Sequence, residues 1–69
     1  MQLSARDRLT GTLTSINRGE AIANASLDVG GQRIVSSTTV EAVDELGLKQ
    51  GGTATAIIKA SDVMIATDL

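Results

Sequence analysis

The sequence predicts a small all-β domain interrupted by one short helix. Three observations predict this fold class. Apolar and polar residues alternate through most of the 69 residues, glycine pairs separate the alternating runs, and the apolar spacing becomes helical over one short stretch. There are no linkers, low-complexity tracts or internal repeats, so we expect one domain covering residues 1–69.

The first three strands follow from alternation with a period of two. The first is predicted over residues 8–16, residues 17–20 form a turn, and the second run covers residues 21–29. Gly30-Gly31 predicts a tight hairpin, because both residues adopt positive φ without steric cost, and residues 32–37 form the returning strand. One face of the first strand is expected to carry Leu9, Gly11, Leu13 and Ser15, and the other Thr10, Thr12, Thr14 and Ile16.

A helix of about two turns is predicted next. Thr38 followed three residues later by Glu41 fits a capping box, with Thr38 as the N-cap. Gly47 stands where a C′ glycine belongs, and Leu48 supplies the apolar contact that accompanies such an end. The apolar stripe of this helix consists of Val40, Val43 and Leu46.

The C-terminal part predicts two more strands. Residues 53–59 alternate after the turn at residues 50–52, residues 60–62 interrupt the pattern, and residues 63–66 are apolar on both faces. Such a strand must be covered on both sides, and a neighbouring subunit is one candidate for that cover. The order β-β-β-α-β-β is that of a five-stranded OB-type barrel with one short helix between strands 3 and 4. A half-open five-stranded sheet with no helix on its second face is the alternative.

Composition indicates a protein that assembles with copies of itself. A chain of this length buries only about 60% of the surface that its unfolded form exposes. It has no Cys, His, Phe, Tyr or Trp, which excludes disulfides and thiolate or imidazole metal sites, yet 42% of its residues are hydrophobic. We therefore expect a homo-oligomer and no direct metal-cation ligands.

Charge and hydropathy disfavour nucleic acids and membranes as binding partners. The net charge is −2 and no aromatic ring is present for base stacking, so an oligonucleotide-binding OB domain is disfavoured. The N-terminus has no signal-peptide pattern, and no apolar run approaches the roughly 20 residues that span a bilayer. We expect a soluble, cytoplasmic protein that contacts no membrane.

The sequence contains few side chains of the types that act in catalysis. No His, Cys or Tyr is present, the carboxylates are scattered, and no serine has a recognisable base beside it. The sequence therefore predicts a binding protein and not an enzyme.

Three short segments are suited to an oxyanion. Ser4-Ala5-Arg6 and Lys59-Ala60-Ser61 each place a hydroxyl and a cation two residues apart around a small residue, and an extended chain projects such residues to one side. Thr39 lies where the free N–H groups of the helix start attract anions. Taken alone, these residues are better explained as surface charges, turn serines and ordinary helix capping.

The same residues carry a family resemblance along the whole chain. The sequence resembles the molbindins, the Mop-like molybdate- or tungstate-binding proteins with a TOBE-type domain. The residues that match are Leu3-Ser4-Ala5-Arg6, Leu9-Thr10-Gly11, Val43-Asp44-Glu45-Leu46-Gly47 and the segment 58–66.

The resemblance implies an OB-type fold and a homohexamer, built as a trimer of dimers, with molybdate or tungstate bound between subunits. It assigns Ser4, Arg6, Lys59 and Ser61 to the main site, with Ala5 and Ala60 between them, and Thr39 to the same site from a neighbouring subunit. A second class of site lies near the threefold axis, for which residues Gly19, Glu20 and Ala21 are a guess. The oxyanion is the only ligand implied; no organic cofactor is expected.

One position departs from the family pattern. Asp7 stands where the motif commonly has Asn. A carboxylate there repels an anion by about 1 kcal/mol at 4 Å in water, or instead orients Arg6. The leading hypothesis is intracellular storage or buffering of molybdate or tungstate. The alternative is an oligomeric OB-like regulatory or interaction module whose anion site is secondary.

Overall fold

The computed structural model describes residues 7–67 and confirms the all-β class. Its strands are β1 (Asp7–Arg18), β2 (Ile22–Val29), β3 (Gln32–Thr39) and β4 (Thr53–Ile58). Helix α1 (Val40–Leu46) lies between the third and fourth strands, as predicted, and a 3₁₀ turn (Ala60–Asp62) follows β4. The strands form one antiparallel sheet in the order β3-β2-β1-β4.

The predicted fifth strand is not confirmed. Within residues 7–67 the sheet has four strands, and residues 63–66 belong to none of them. Met64 and Ile65 are 93% and 88% exposed, so a single copy of the chain leaves this segment uncovered. A segment that is apolar on both faces needs partners on both sides, and without them it gains little by joining the sheet. The sheet therefore stays open between β3 and β4 and does not close into a barrel.

A β-bulge in β1 changes which side chains face the core. The pairing with β2 shifts between Leu13, opposite Leu27, and Ser15, opposite Ser26. The extra residue, Thr14, reverses the alternation, so Ile16 joins Leu13 against the core. The prediction that placed Ile16 on the opposite face was therefore wrong, because a pure period of two has no place for a bulge.

Of the two turns that border β2, the sequence predicts the second correctly and misplaces the first. Gly30 and Gly31 have φ of 57° and 89° and connect the paired residues Val29 and Gln32, which confirms the predicted two-residue hairpin. The preceding turn is shifted along the chain. Strand β1 continues through Arg18, which pairs with Ala23, so the turn occupies residues 19–21 and not 17–20.

Among the glycines of residues 7–67, Gly11 has the closest backbone neighbour to the position of a Cβ atom. A Cβ atom at Gly11 would lie 2.1 Å from the carbonyl oxygen of Asp28 and 2.9 Å from Cγ2 of Val29. Strand β1 pairs with β4 from Asp7 to Thr12 and with β2 from Thr12 onward, so Gly11 lies next to the residue that pairs with both neighbouring strands. Only a residue without a side chain allows this close approach, which positions both neighbouring strands.

Helix α1 begins one residue later than the sequence predicted. Thr39 still pairs with Ile22 in the sheet and keeps extended dihedrals (φ −86°, ψ 150°), so it and not Thr38 is the N-cap. Its side-chain oxygen accepts a hydrogen bond from the Ala42 N–H at 3.0 Å. Ala42 is therefore at N3, and the capping box that placed Glu41 there does not form.

The C-terminal end of α1 is as predicted. Gly47 has φ 64°, and the Leu48 N–H donates to the Val43 carbonyl at 3.1 Å, the longer bond of a Schellman motif. Leu48 then packs against the central cluster of Leu13, Ala25 and Leu27. Few apolar residues of the described chain are buried: these three together with Ala23 and Val43.

Candidate functional site

The Lys59-Ala60-Ser61 segment forms an exposed turn at the end of β4. Strand β4 stops at Ile58, Lys59 has extended dihedrals (φ −68°, ψ 130°), and the Asp62 N–H donates to the Lys59 carbonyl at 2.9 Å. All three residues are exposed. The predicted interruption of the strand at residues 60–62 is confirmed, and the strand ends one residue earlier than predicted. A cation and a hydroxyl still occupy one turn, with the carboxylate of Asp62 beside them.

Ser4, Ala5 and Arg6 lie outside the described residues. The described chain begins at Asp7, which is opposite Ile58 in the β1–β4 pairing. Position 6 immediately precedes Asp7 in the chain, and Lys59 immediately follows Ile58, the residue that pairs with Asp7. The two predicted motifs thus adjoin the same pair of residues at one end of the sheet.

Thr39 lies at the opposite end of the sheet. It pairs with Ile22, beside the end of β1, where Arg18 pairs with Ala23. Asp7 and Arg18 are the two ends of β1, separated by roughly 36 Å of strand at the usual rise per residue. The structure therefore does not bring Thr39 together with Lys59 in one chain. The Thr39 hydroxyl is exposed, and since its oxygen caps the helix, its hydrogen remains a possible donor.

The residues guessed for a second site lie next to Thr39. The Gly19 N–H donates to the Ile22 carbonyl at 2.8 Å, and the Val40 N–H donates to the Ala21 carbonyl at 2.9 Å. Together with α1 they surround a shallow depression lined by Glu20, Ala21, Thr39, Val40, Glu41 and Asp44. Three of these side chains are carboxylates, which disfavours an anion within a single copy.

One ion pair at this end was not predicted from the sequence. Arg18 at the end of β1 donates to Asp44 of α1, with 2.6 Å between Nη2 and Oδ1. Both side chains are about half exposed, so the pair contributes little, on the order of 0–1 kcal/mol. The two residues are 26 positions apart, and no local pattern indicates such a contact. The pair places the Arg18 guanidinium at the Thr39 end of the sheet, away from Lys59.

The described residues also contain an apolar groove that sequence analysis missed. It runs between the free edges of β3 and β4, with residues 34–38 on one side and 54–58 on the other. Leu13, Ala25 and Leu27 lie beneath it, and Leu46 of α1 borders it with 71% of its surface exposed. The alternation of β3 and β4 indicated these strands but not that their edges stay apart.

An open antiparallel sheet, a helix after its third strand and an exposed cationic turn after its fourth define a small OB-like all-β domain. No helix within residues 7–67 is long and apolar enough to cross a membrane. A model of the TOBE domain matches residues 3–65, and the chain belongs to this family. The resemblance to the molbindins is confirmed by the relatives described next.

The similar proteins are named for molybdenum. A probable molybdenum-pterin-binding protein of Haemophilus influenzae is 44% identical over 69 residues, which cover 99% of this chain and 100% of that protein. The solved structure of a molybdate-binding protein from Sporomusa ovata has a TM-score of 0.92 and 30% identity, covering 97% of this chain and 100% of that one. ModG, a cytoplasmic molybdate-binding protein solved with molybdate bound, has a TM-score of 0.88 and 51% identity; the match covers 93% of this chain and 46% of ModG.

Proposed function

We propose that this protein binds molybdate or tungstate and serves to store or buffer that oxyanion in the cytoplasm, without catalysing a reaction. The observation that carries the proposal is the exposed turn of Lys59 and Ser61 beside the first described residue of β1. Relatives of similar length at 36–44% identity are named as molybdenum-pterin-binding proteins, and two structural neighbours as molybdate-binding proteins. The whole chain, residues 1–69, acts as one such domain.

The proposed site is made by two subunits. Ser4, Arg6, Lys59 and Ser61, with Ala5 and Ala60 between them, come from one subunit and offer only donors and positive charge. Thr39 comes from a neighbour, because the two ends of the sheet keep it away from Lys59 of its own chain. A tetrahedral dianion bridges these groups and relieves the repulsion between cations that the interface brings together.

A folded single copy exposes more surface than a compact monomer does. The chain exposes 5519 Å², whereas the scaling law for a 7.1 kDa monomer gives about 4100 Å². Its radius of gyration is 12.9 Å, against about 11 Å for a compact domain of 69 residues. A standard interface buries about 800 Å² on each partner, and the surplus exceeds this. We propose a homohexamer arranged as a trimer of dimers.

The mass of the assembled protein in solution tests the proposed hexamer. We expect light scattering of the purified protein at micromolar concentration to give the mass of six chains, because few apolar side chains are buried and Met64 and Ile65 are almost fully exposed in a single copy. Circular dichroism on the same samples shows whether the chain is folded. A folded monomer at this concentration would contradict the proposed assembly.

The ligand is tested by competition calorimetry. We expect molybdate and tungstate to bind much more tightly than sulfate and phosphate. A donor-only site disfavours phosphate, which is partly protonated near neutral pH, and a cavity shaped for the larger anion leaves sulfate short of some donors. Comparable affinity for all four anions would indicate a generic cationic patch. That outcome would favour the alternative, an oligomeric regulatory or interaction module.

A further inference from the structure

The surface around Thr39 carries more negative than positive charge. Thr39 lines a shallow depression together with three carboxylate side chains, those of Glu20, Glu41 and Asp44. Under the proposed function this surface faces an oxyanion held by the Lys59 turn of a neighbouring subunit. A carboxylate near a dianion raises the free energy of the bound state, so the charge of this depression affects the affinity of the site.

One cation balances one of these carboxylates. Arg18 donates a hydrogen bond from Nη2 to Oδ1 of Asp44 at 2.6 Å. Arg18 is the last residue of β1 and Asp44 belongs to α1, so the pair joins two elements beside the depression. Both side chains are about half exposed, and such a pair contributes little to stability. Its main effect is therefore on the local charge.

The position of Thr39 does not depend on this ion pair. Thr39 pairs with Ile22 in the sheet, and its side-chain oxygen accepts a hydrogen bond from the Ala42 N–H at 3.0 Å. The next residue, Val40, donates its N–H to the Ala21 carbonyl at 2.9 Å. Because these contacts involve the backbone, substitutions in the ion pair change the charge near Thr39 and leave its place in the fold unchanged.

We propose that the Arg18–Asp44 ion pair sets the affinity of the oxyanion site by balancing charge beside Thr39. This inference rests on the proposed function, in which Thr39 contributes to a site shared by two subunits. The two residues have opposite effects: Arg18 favours the anion, whereas Asp44 opposes it and holds the Arg18 guanidinium against α1. Asp44 thus keeps the affinity below what the same fold could reach, which suits a buffer that must release its ligand.

Single and double substitutions of the pair test this effect. In calorimetric titrations with molybdate at low ionic strength, we expect Arg18→Gln to weaken binding about threefold to tenfold and Asp44→Asn to strengthen it by a similar factor. The double variant keeps the net charge of the wild type and should bind within about twofold of it. Raising the salt concentration should shrink all these differences, because the screening length falls to about 3 Å at 1 M.

Asp28 and Arg33 supply matched control substitutions. They are exposed, they face each other across β2 and β3 beside the Gly30-Gly31 hairpin, and neither lines the depression. Arg33 is six residues from Thr39 along β3, or roughly 20 Å at the usual rise per residue. Arg33→Gln and Asp28→Asn make the same changes in charge, and we expect each to keep the molybdate affinity within about twofold of the wild type.

The direction of each effect distinguishes the possible results. Weaker binding by both single variants would show that the pair acts as a clamp on α1, and it would overturn the proposal, as would affinities equal to that of the wild type. Circular dichroism confirms that each variant is folded. If the wild type binds no molybdate, the proposed function fails and this inference with it. If the wild type binds and the single variants do not move in opposite directions, only this inference fails.

Discussion

Replacement of Gly11 by valine is expected to lower the free energy of unfolding by about 3 kcal/mol or more. The first atom of any side chain at this position lies 2.1 Å from the Asp28 carbonyl oxygen, so β1 and the end of β2 must separate. Domains of this length are typically stable by about 3–10 kcal/mol, so the loss is a large fraction of the whole. Urea unfolding at one fixed chain concentration measures it.

Thr12→Val is the matched control for this substitution. Thr12 is the next residue of the same strand, it is exposed, and it already has a β-branched side chain opposite Asp28. Valine there is nearly isosteric, so we expect a change within about 0.5 kcal/mol. If Gly11→Val unfolds at the same urea concentration as Thr12→Val, the close approach of Asp28 to β1 does not exist in solution.

Replacement of Arg6 by alanine is expected to weaken molybdate binding by about 1.5–3 kcal/mol, which is roughly 10- to 150-fold in affinity. Under the proposed function Arg6 presents a planar fork with two donors, whereas Lys59 acts as a point charge. Arg6→Lys should therefore recover only part of the affinity. The ligand-free assembly should stay intact or become slightly more stable, since one of several repelling cations is gone.

Melting temperatures with and without molybdate measure this effect. A ligand at a hundredfold excess over its dissociation constant stabilises the wild type by about 2.7 kcal/mol per independent site. Arg33→Ala is the control, because it removes the same charge from an exposed position beside the Gly30-Gly31 turn. If Arg6→Ala keeps the full molybdate-induced shift, Arg6 does not hold the ligand and the proposed site is misplaced.

Local patterns in the sequence were sufficient for most of the elements. The alternation of apolar residues predicted β1 to β4, the Gly30-Gly31 pair predicted the hairpin, and Gly47 with Leu48 predicted the end of α1. Each of these depends on residues that are neighbours in the chain. Backbone freedom at glycine and the two-residue period of a strand act over a few positions, so the sequence alone expresses them.

The candidate site was predictable in its parts but not in its arrangement. The chemistry of Lys59 and Ser61 was evident from residue type, and the end of the strand beside them was predicted to within one residue. That Thr39 lies at the other end of the sheet follows only from the strand pairing. The carboxylates around Gly19 to Ala21 likewise gather through the contact between α1 and the β1–β2 turn.

Tertiary structure decided the features that depend on contacts between distant residues. The bulge at Thr14 turned Ile16 toward the core, the pairing of Thr39 with Ile22 moved the helix start, and the unpaired edges of β3 and β4 left the sheet open. The sequence by itself determined which segments are extended, helical or turning, and which residues suit an oxyanion. Pairing register and sheet closure were decided only by the fold, because both depend on which surfaces find a partner to cover them.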